Sequence, residues 1–507
     1  MLLVALCTIL TAVALPSIPS LPVYLLRSTS LSLLVAIALA ANAASWSGVA
    51  HGVSLYGGLI QITYASLMAQ ALLYGLAIFA MLPWSPSRLA SVSRTAYPTV
   101  SSYSLFALAS LIGGSMLVAV GDLVTLYLAL ELQSFAVYVL ATIYRSDKRA
   151  THSGLLYFML GGLSSCLLLL GMAIVYYDTG ATSIEALVML VSIGSTQSIA
   201  LQLGAIAMGV GILFKVTAAP FHHWGPDVYD GVPTIVTTWI AVLPKVSLLT
   251  LLLALAVTWG SQFPIGTTVE WTGPLFGDQS RVWSTLLLAS GLLSMLVGTI
   301  VGLVQTRVKR LLAYSTIAHM GFLLLALAIT SNDACSAYVM YVVQYTVTSV
   351  LSFSTVLAMG YTLHGRSAVT SIDVGTFSDL RGSYSVTPAL GFCLALTLLS
   401  MAGVPPLVGF YAKQAVLTSA VKAGYVFLSV VGVVTSVISA AYYLHLIRLV
   451  HFESPMAVPA DVNRAGALTP LHSYTIAALS LWLFTYTLYP DLLLDTSRLV
   501  ALTLYST

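Results

Sequence analysis

Long apolar runs follow one another along this chain with little between them, and no water-facing fold could bury them all. A helix needs about 20 apolar residues to cross about 30 Å of hydrocarbon. Such runs lie near residues 2–20, 28–44, 58–82, 101–120, 122–144, 153–177 and 200–222. More lie near 232–259, 284–305, 311–330, 335–361, 387–420, 424–447 and 471–490, which predicts an all-α membrane protein of 14 transmembrane helices. Composition agrees: Asp, Glu, Lys and Arg make up 7% of 507 residues, too few to clothe a soluble surface of this size. A formal charge of +3 is too small for a polyanionic partner, so nucleic acid is excluded and lipid is the expected surroundings. The first 26 residues contain no Lys or Arg, so Leu2–Leu15 reads as part of a mature first span. Pro83–Pro98 and Ser454–Pro470 read as connectors.

The few charges carry the topology. Loops after the first span and every second span beyond it hold Arg27, Arg88, Arg94, Arg145, Lys148, Arg149, Arg307, Lys309, Arg310, Arg366, Arg381, Arg448 and Arg464. The opposite loops hold only Arg281, Lys422 and Arg498. By the positive-inside rule the first set faces the cytoplasm or matrix, and both termini lie on the other side.

Three basic residues remain, Lys215, Lys245 and Lys413, all inside predicted spans, and of the 16 acids only Glu131 falls in mid-span. Each ionisable group at the bilayer centre costs about 2.5–3.5 kcal/mol on insertion scales. A chain keeping four of them is expected to line a wet, protein-walled path. A buried ion pair that merely fixes packing is the plainer reading for Glu131 with Lys215, but one carboxylate does not neutralise three lysines. Burial disfavours a charged lysine and a nearby carboxylate restores it, so moving the carboxylate would switch the lysine between holding and releasing a proton. Polar stripes accompany these groups: Tyr127, Glu131, Ser134 and Tyr138; Thr234, Thr238 and Lys245; and Tyr341, Tyr345, Thr348, Ser352 and Thr355. They suit a water chain or, equally, interhelical hydrogen bonding.

Two spans look broken, one after Lys215 at Pro220 and one at Gly403, Pro405 and Pro406 ahead of Lys413. Each break falls in the fourth span of a five-span block, spans 4–8 and spans 9–13. Blocks of five enter the membrane from opposite sides, so an inverted repeat with broken helices 7 and 12 is expected. Aligned from the block starts, His319 falls roughly where Glu131 falls, which makes it a further relay candidate; His222, His223 and His445 are weaker ones. Division into residues 1–100, 101–259, 284–447 and 448–507 follows. Cys7, Cys166, Cys335 and Cys393 lack CxxC spacing, and no His pair has ligand spacing, so this chain is expected to hold no cofactor or metal itself.

The stretches GDLVTLYLALELQSFAVYVLA, LFKVTAAPFHHWGPDVYDGVPTIVTTWIAVLPK, RVKRLLAYSTIAHMGFLLLAL and LLSMAGVPPLVGFYAK resemble the chain 2 family of NADH–ubiquinone oxidoreductase, over about residues 100–450. These are antiporter-like subunits in the membrane arm of respiratory complex I. The resemblance implies 14 helices in two inverted five-helix repeats and a proton pathway. On matching positions it makes Glu131 the helix-5 carboxylate, Lys215 its helix-7 partner, Lys245 the central lysine and Lys413 the group nearest the exit. It also implies other membrane-arm subunits as partners, with NADH, FMN, iron–sulfur clusters and ubiquinone held elsewhere in the complex. Prokaryotic relatives tend to carry a Glu and a Lys in the segment that here reads THSGLLYFMLGG, where this chain has His152 and Leu156, so the resemblance does not carry over an accessory charge contact at the start of span 6. The low charge and the GGLSSC run resemble mitochondrial members, so the mitochondrial inner membrane is expected, with a bacterial plasma membrane second. The rival functions are a subunit of a multi-subunit Na+/H+ antiporter and a passive scaffold.

Overall fold

The structure is a computed structural model that describes residues 1–14, 21–46, 48–49, 52–84, 101–144, 147–192, 199–261, 279–364, 373–454, 468–489 and 491–506. Its first helices are α1 (Leu2–Ala14) and α2 (Leu21–Ala44), followed by a hairpin of β1 (Val53–Leu55) and β2 (Ile60–Ile62). Then come α3 (Tyr64–Met81), α4 (Ser101–Val118), α5 (Leu123–Thr142), α6 (Lys148–Thr179), α7 (Ile184–Ser192), α8 (Ile199–Val216), α9 (Trp224–Gly231) and α10 (Thr234–Ser261). The second part holds α11 (Gln279–Leu303), α12 (Val308–Ile329), α13 (Asn332–His364), α14 (Pro388–Ala402), α15 (Val408–Lys422), α16 (Val426–Phe452), α17 (Pro470–Leu488) and α18 (Asp491–Ser506).

Among the described residues ten helices are long and apolar enough to cross a membrane, and Leu2–Ala14, Ser102–Val118 and Pro388–Ala402 are shorter apolar helices. The chain is a multi-span helical membrane protein. The described residues of each predicted run include helix, with two differences: residues 58–62 are turn and strand, and residues 217–222 are turn and irregular backbone beyond the end of α8. Gly57 and Gly58 take left-handed φ of 70° and 93°, which a helix does not allow, and Thr63 then caps α3 by accepting from Ser66 N. The helices α7, α9 and α18 are additions to the predicted set. Residues 15–20, 85–100 and 455–467, which carry part of the first predicted span and most of two predicted connectors, lie outside the described residues.

Connections meet in two sets. At one end Ile60 pairs with Val120 and Asp122 with Ser183, so the loops before α3, α5 and α7 touch. At the other, Arg307 pairs with Thr376 and binds Asp230, while Arg381 reaches Glu453 at 2.6 Å. Irregular backbone separates α8 from α9 and α14 from α15.

Lipid gives helices no hydrophobic reason to associate, so close packing of small residues must do it. A Cβ on Gly113 of α4 would lie 2.6 Å from Gln133 N of α5, and one on Gly298 of α11 would lie 2.5 Å from Ala318 N of α12. The most enclosed helices are α12 and α13, with 94% of their spanning windows buried, and α10 with 83%, against 33% for α16. The axis of the bundle is therefore α10, α12 and α13.

Candidate proton relay

Asp122 starts α5 by accepting from Val124 N at 2.7 Å, and the helix then carries Glu131 and Ser134 toward α8. Lys215 stands in the last turn of α8, where exposed carbonyls favour a cation. Its Nζ lies 3.3 Å from Glu131 Oε1 and donates to Ser134 Oγ at 2.9 Å. An adjoining cavity of about 20 Å³, lined by Ser134, Tyr138, Lys215, Trp224 and Pro244 among others, is large enough for a single water.

The two helix breaks are built alike. At the first, Thr217 turns left-handed (φ 67°) and Ala218 N closes onto Leu213 O at 3.0 Å; at the second, Gly403 turns left-handed (φ 85°) and Val404 N closes onto Leu399 O at 3.2 Å. A proline follows three residues on in each, Pro220 and Pro406, both in cis linkage. This six-residue closure normally takes glycine at its left-handed position. Gly403 fits that pattern, whereas a β-branched threonine there costs about 1–2 kcal/mol. The freed backbone is held by side chains: Ser294 Oγ accepts from Ala219 N at 2.8 Å, and Trp224 Nε1 donates to Phe214 O at 2.9 Å. Irregular backbone at membrane depth is thereby satisfied inside the protein.

Lys245 is 1% exposed, and among the described residues no carboxylate reaches it. Its Nζ donates to Thr217 Oγ1 at 2.9 Å and Thr316 Oγ1 at 3.3 Å, and lies 5.4 Å from the centre of the Tyr229 ring. Lys413 reaches back across the second break and donates to Met401 O at 3.0 Å and Ala402 O at 2.9 Å, the terminal carbonyls of α14. A half-helix end thus serves as its counter-charge. His319 Nδ1 meets Tyr341 Oη at 2.8 Å. Glu131 and Lys215 are in direct contact, while Lys245, His319 and Lys413 follow along the axis, each on its own polar partners.

Three features differ from expectation. Laid on each other by the Gly113 and Gly298 contacts, Gln133 matches Ala318; Thr316 then stands for Glu131, and His319 for Ser134, three residues beyond the place given by the block starts. The α13 stripe is partly spent on its own backbone: Thr348 donates to Gln344 O, Ser352 to Ser349 O and Thr355 to Ser352 O. Finally, basic residues read only as topology signals are paired. Arg307 binds Asp230, Arg310 binds Asp227, and Lys309, buried in the first turn of α12, donates to Asp373 Oδ2 at 2.8 Å and to Val232 O at 2.9 Å. Thr234 also bonds Asp373 through its N and Oγ1. Burial raises the Asp373 carboxyl, but Lys309 and Thr234 outweigh it and hold the group below its ordinary value. Thr217 and Thr316 were missed because neither a hydroxyl at a helix break nor one in the middle of an apolar helix stands out by periodicity. His152 is exposed on α6 and Leu156 half-buried. Among the described residues no group of three or more His, Cys, Asp or Glu could hold a metal.

Broken helices that bring buried lysines to a central axis define an antiporter-like membrane subunit. Residues 120–439 match the family described as NADH:quinone oxidoreductase/Mrp antiporter, TM, and the chain belongs to that family. It is 39% identical to NADH-ubiquinone oxidoreductase chain 2 of Rhizopus oryzae, covering 100% of both chains. It is 36% identical to NADH-quinone oxidoreductase subunit N of Paramagnetospirillum magneticum over 80% of this chain and 78% of the relative. A chain of respiratory complex I from Thermus thermophilus superposes with a TM-score of 0.74 at 27% identity, covering 98% of this chain and 99% of that one.

Proposed function

We propose that this chain is a proton-translocating core membrane subunit of NADH:ubiquinone oxidoreductase, moving protons through a buried Lys/Glu relay while quinone is reduced elsewhere in the complex. The observation that carries the reading is the contact of Glu131 with Lys215 beside a helix break whose Thr217 binds Lys245. A proton taken up from the matrix-side loops reaches Lys245 and passes by His319 toward Lys413 for release on the other face. The Glu131–Lys215 pair sets how firmly the relay holds it. Each charge crossing 100 mV costs about 2.3 kcal/mol, so quinone chemistry must supply the drive.

In this reading the chain makes 14 spans, in two inverted repeats at residues 101–259 and 284–447 flanked by 1–100 and 448–507; the matching breaks and glycine contacts support it. It sits in the mitochondrial inner membrane with both termini toward the intermembrane space, bound to lipid and to other membrane-arm subunits. NADH, FMN, iron–sulfur clusters and ubiquinone belong to those neighbours, and electrons do not pass through this chain. Full-length similarity to a chain 2 favours this over a sodium/proton antiporter subunit.

The test is purification in mild detergent followed by reconstitution of the assembly in vesicles. The chain is expected to co-migrate with an NADH-oxidising, flavin-containing complex. Lys245→Met is expected to lower proton uptake per NADH by about tenfold or more, the loss of one charged hydrogen-bonding group from the path. Sodium-dependent exchange without NADH oxidation would favour the antiporter, and unchanged pumping by Lys245→Met would leave only a scaffold.

A further inference from the structure

We propose that Thr217 is a positioning residue that ties Lys245 to the Glu131–Lys215 pair. It occupies the left-handed turn that its counterpart fills with Gly403, although glycine adopts that conformation freely and threonine does not. The turn itself does not demand the side chain, since a residue without Cβ serves it in the other break. What the side chain supplies is an acceptor: its Oγ1 takes a hydrogen bond from Lys245 Nζ at 2.9 Å, in a place 1% exposed. Two residues earlier the same strand of chain carries Lys215, bonded to Glu131 and Ser134. One rigid turn therefore joins the two halves of the relay. Closure of Ala218 N onto Leu213 O and of Ala219 N onto Ser294 Oγ fixes that turn. Thr316 Oγ1, from α12, completes the seat of Lys245, so the ammonium spans both five-helix blocks. Any shift of α8 that follows from opening the Glu131–Lys215 contact pulls Thr217 Oγ1 away from Lys245, which makes a proton on that lysine easier to release.

This inference rests on the relay reading above. Its test uses the intact complex in vesicles with Thr217→Ser, Thr217→Gly and Thr217→Val, and Lys245→Met as control; proton uptake per NADH and thermal stability of the complex are measured. Ser keeps the hydroxyl and is expected to pump within about twofold of the parent. Gly and Val are expected to lose about tenfold, and Gly is expected to do so without loss of thermal stability, because it suits the left-handed turn. If Val does not assemble, the Gly and Ser pair decides alone. Full pumping by Thr217→Gly beside a dead Lys245→Met, or a Ser variant as impaired as Gly, overturns the role of Thr217 and leaves the relay standing. Normal pumping by Lys245→Met overturns the relay itself.

Discussion

Glu131→Ala is expected to stop proton-coupled turnover in a complex that still assembles. The substitution removes the carboxylate 3.3 Å from Lys215 and leaves the ammonium with Ser134 Oγ as its side-chain partner. Breaking a buried ion pair from one side costs about 3–5 kcal/mol, because the remaining charge has lost its counter-ion without regaining water. Here the side chains keep 8% and 14% of their exposure, so the lower end applies. The energy is recovered if Lys215 gives up its proton, and the relay then has no charged group at its head. A penalty of about 3 kcal/mol corresponds to a rate lower by roughly 100-fold. Assembly is expected to survive because alanine is smaller than the glutamate it replaces and forces no atom into the seam beside Lys215. Glu131→Asp, a methylene shorter, is expected to fall between parent and Ala. The measurement is proton uptake and NADH:quinone reductase rate in vesicles, with band intensity on a native gel reporting assembly. Parent-like pumping by a fully assembled Ala variant would remove Glu131 from the relay.

The charged residues could be placed from sequence because the bilayer makes each of them costly; their partners could not. Scarcity of charge singled out Glu131, Lys215, Lys245 and Lys413, whereas the pairing of the first two came from the family resemblance, since one carboxylate among three lysines does not say which of them it meets. Nothing in that argument distinguishes a lysine seated on two hydroxyls from one seated on helix-end carbonyls, which are the arrangements of Lys245 and Lys413. Both depend on where the broken helices end to the residue. Pro220, Pro405 and Pro406 announce that a break exists, but the chain turns earlier, at Thr217 and Gly403. Likewise apolar length marks spans well and marks the hairpin at residues 53–62 badly, since its side chains are apolar too and only Gly57 and Gly58 betray the turn. Loop charges give the topology but not their own pairing. Lys309 belongs by charge to a loop and by structure to a buried link with Asp373, a residue 64 positions away.

Gly409→Ala is expected to be the most damaging single methyl in the second half of the chain. Gly409 lies in the first turn of α15, and its backbone asks nothing unusual of an alanine. Space forbids it: a Cβ there would stand 1.8 Å from Ser400 O in the last turn of α14. That oxygen belongs to the main chain, so relief requires moving a half-helix rather than turning a side chain. Ser400 O accepts from Gly403 N at 3.1 Å, so displacement opens the closure that ends α14. The next two carbonyls, Met401 O and Ala402 O, are those that hold Lys413. Lys413 itself sits one helical turn beyond Gly409, so separation of α14 from α15 carries the ammonium off its acceptors. Overpacking of this kind costs about 3 kcal/mol, and a complex short of that margin is recovered in lower amount and melts earlier. Gly162→Ala on α6 is the control, because a Cβ there meets nothing within 4 Å and a helix interior gains about 0.5–1 kcal/mol from the exchange. Thermal melting of both purified variants tests the close approach directly: equal stability would mean that α14 and α15 do not meet at Gly409, and Lys413 would then need another seat.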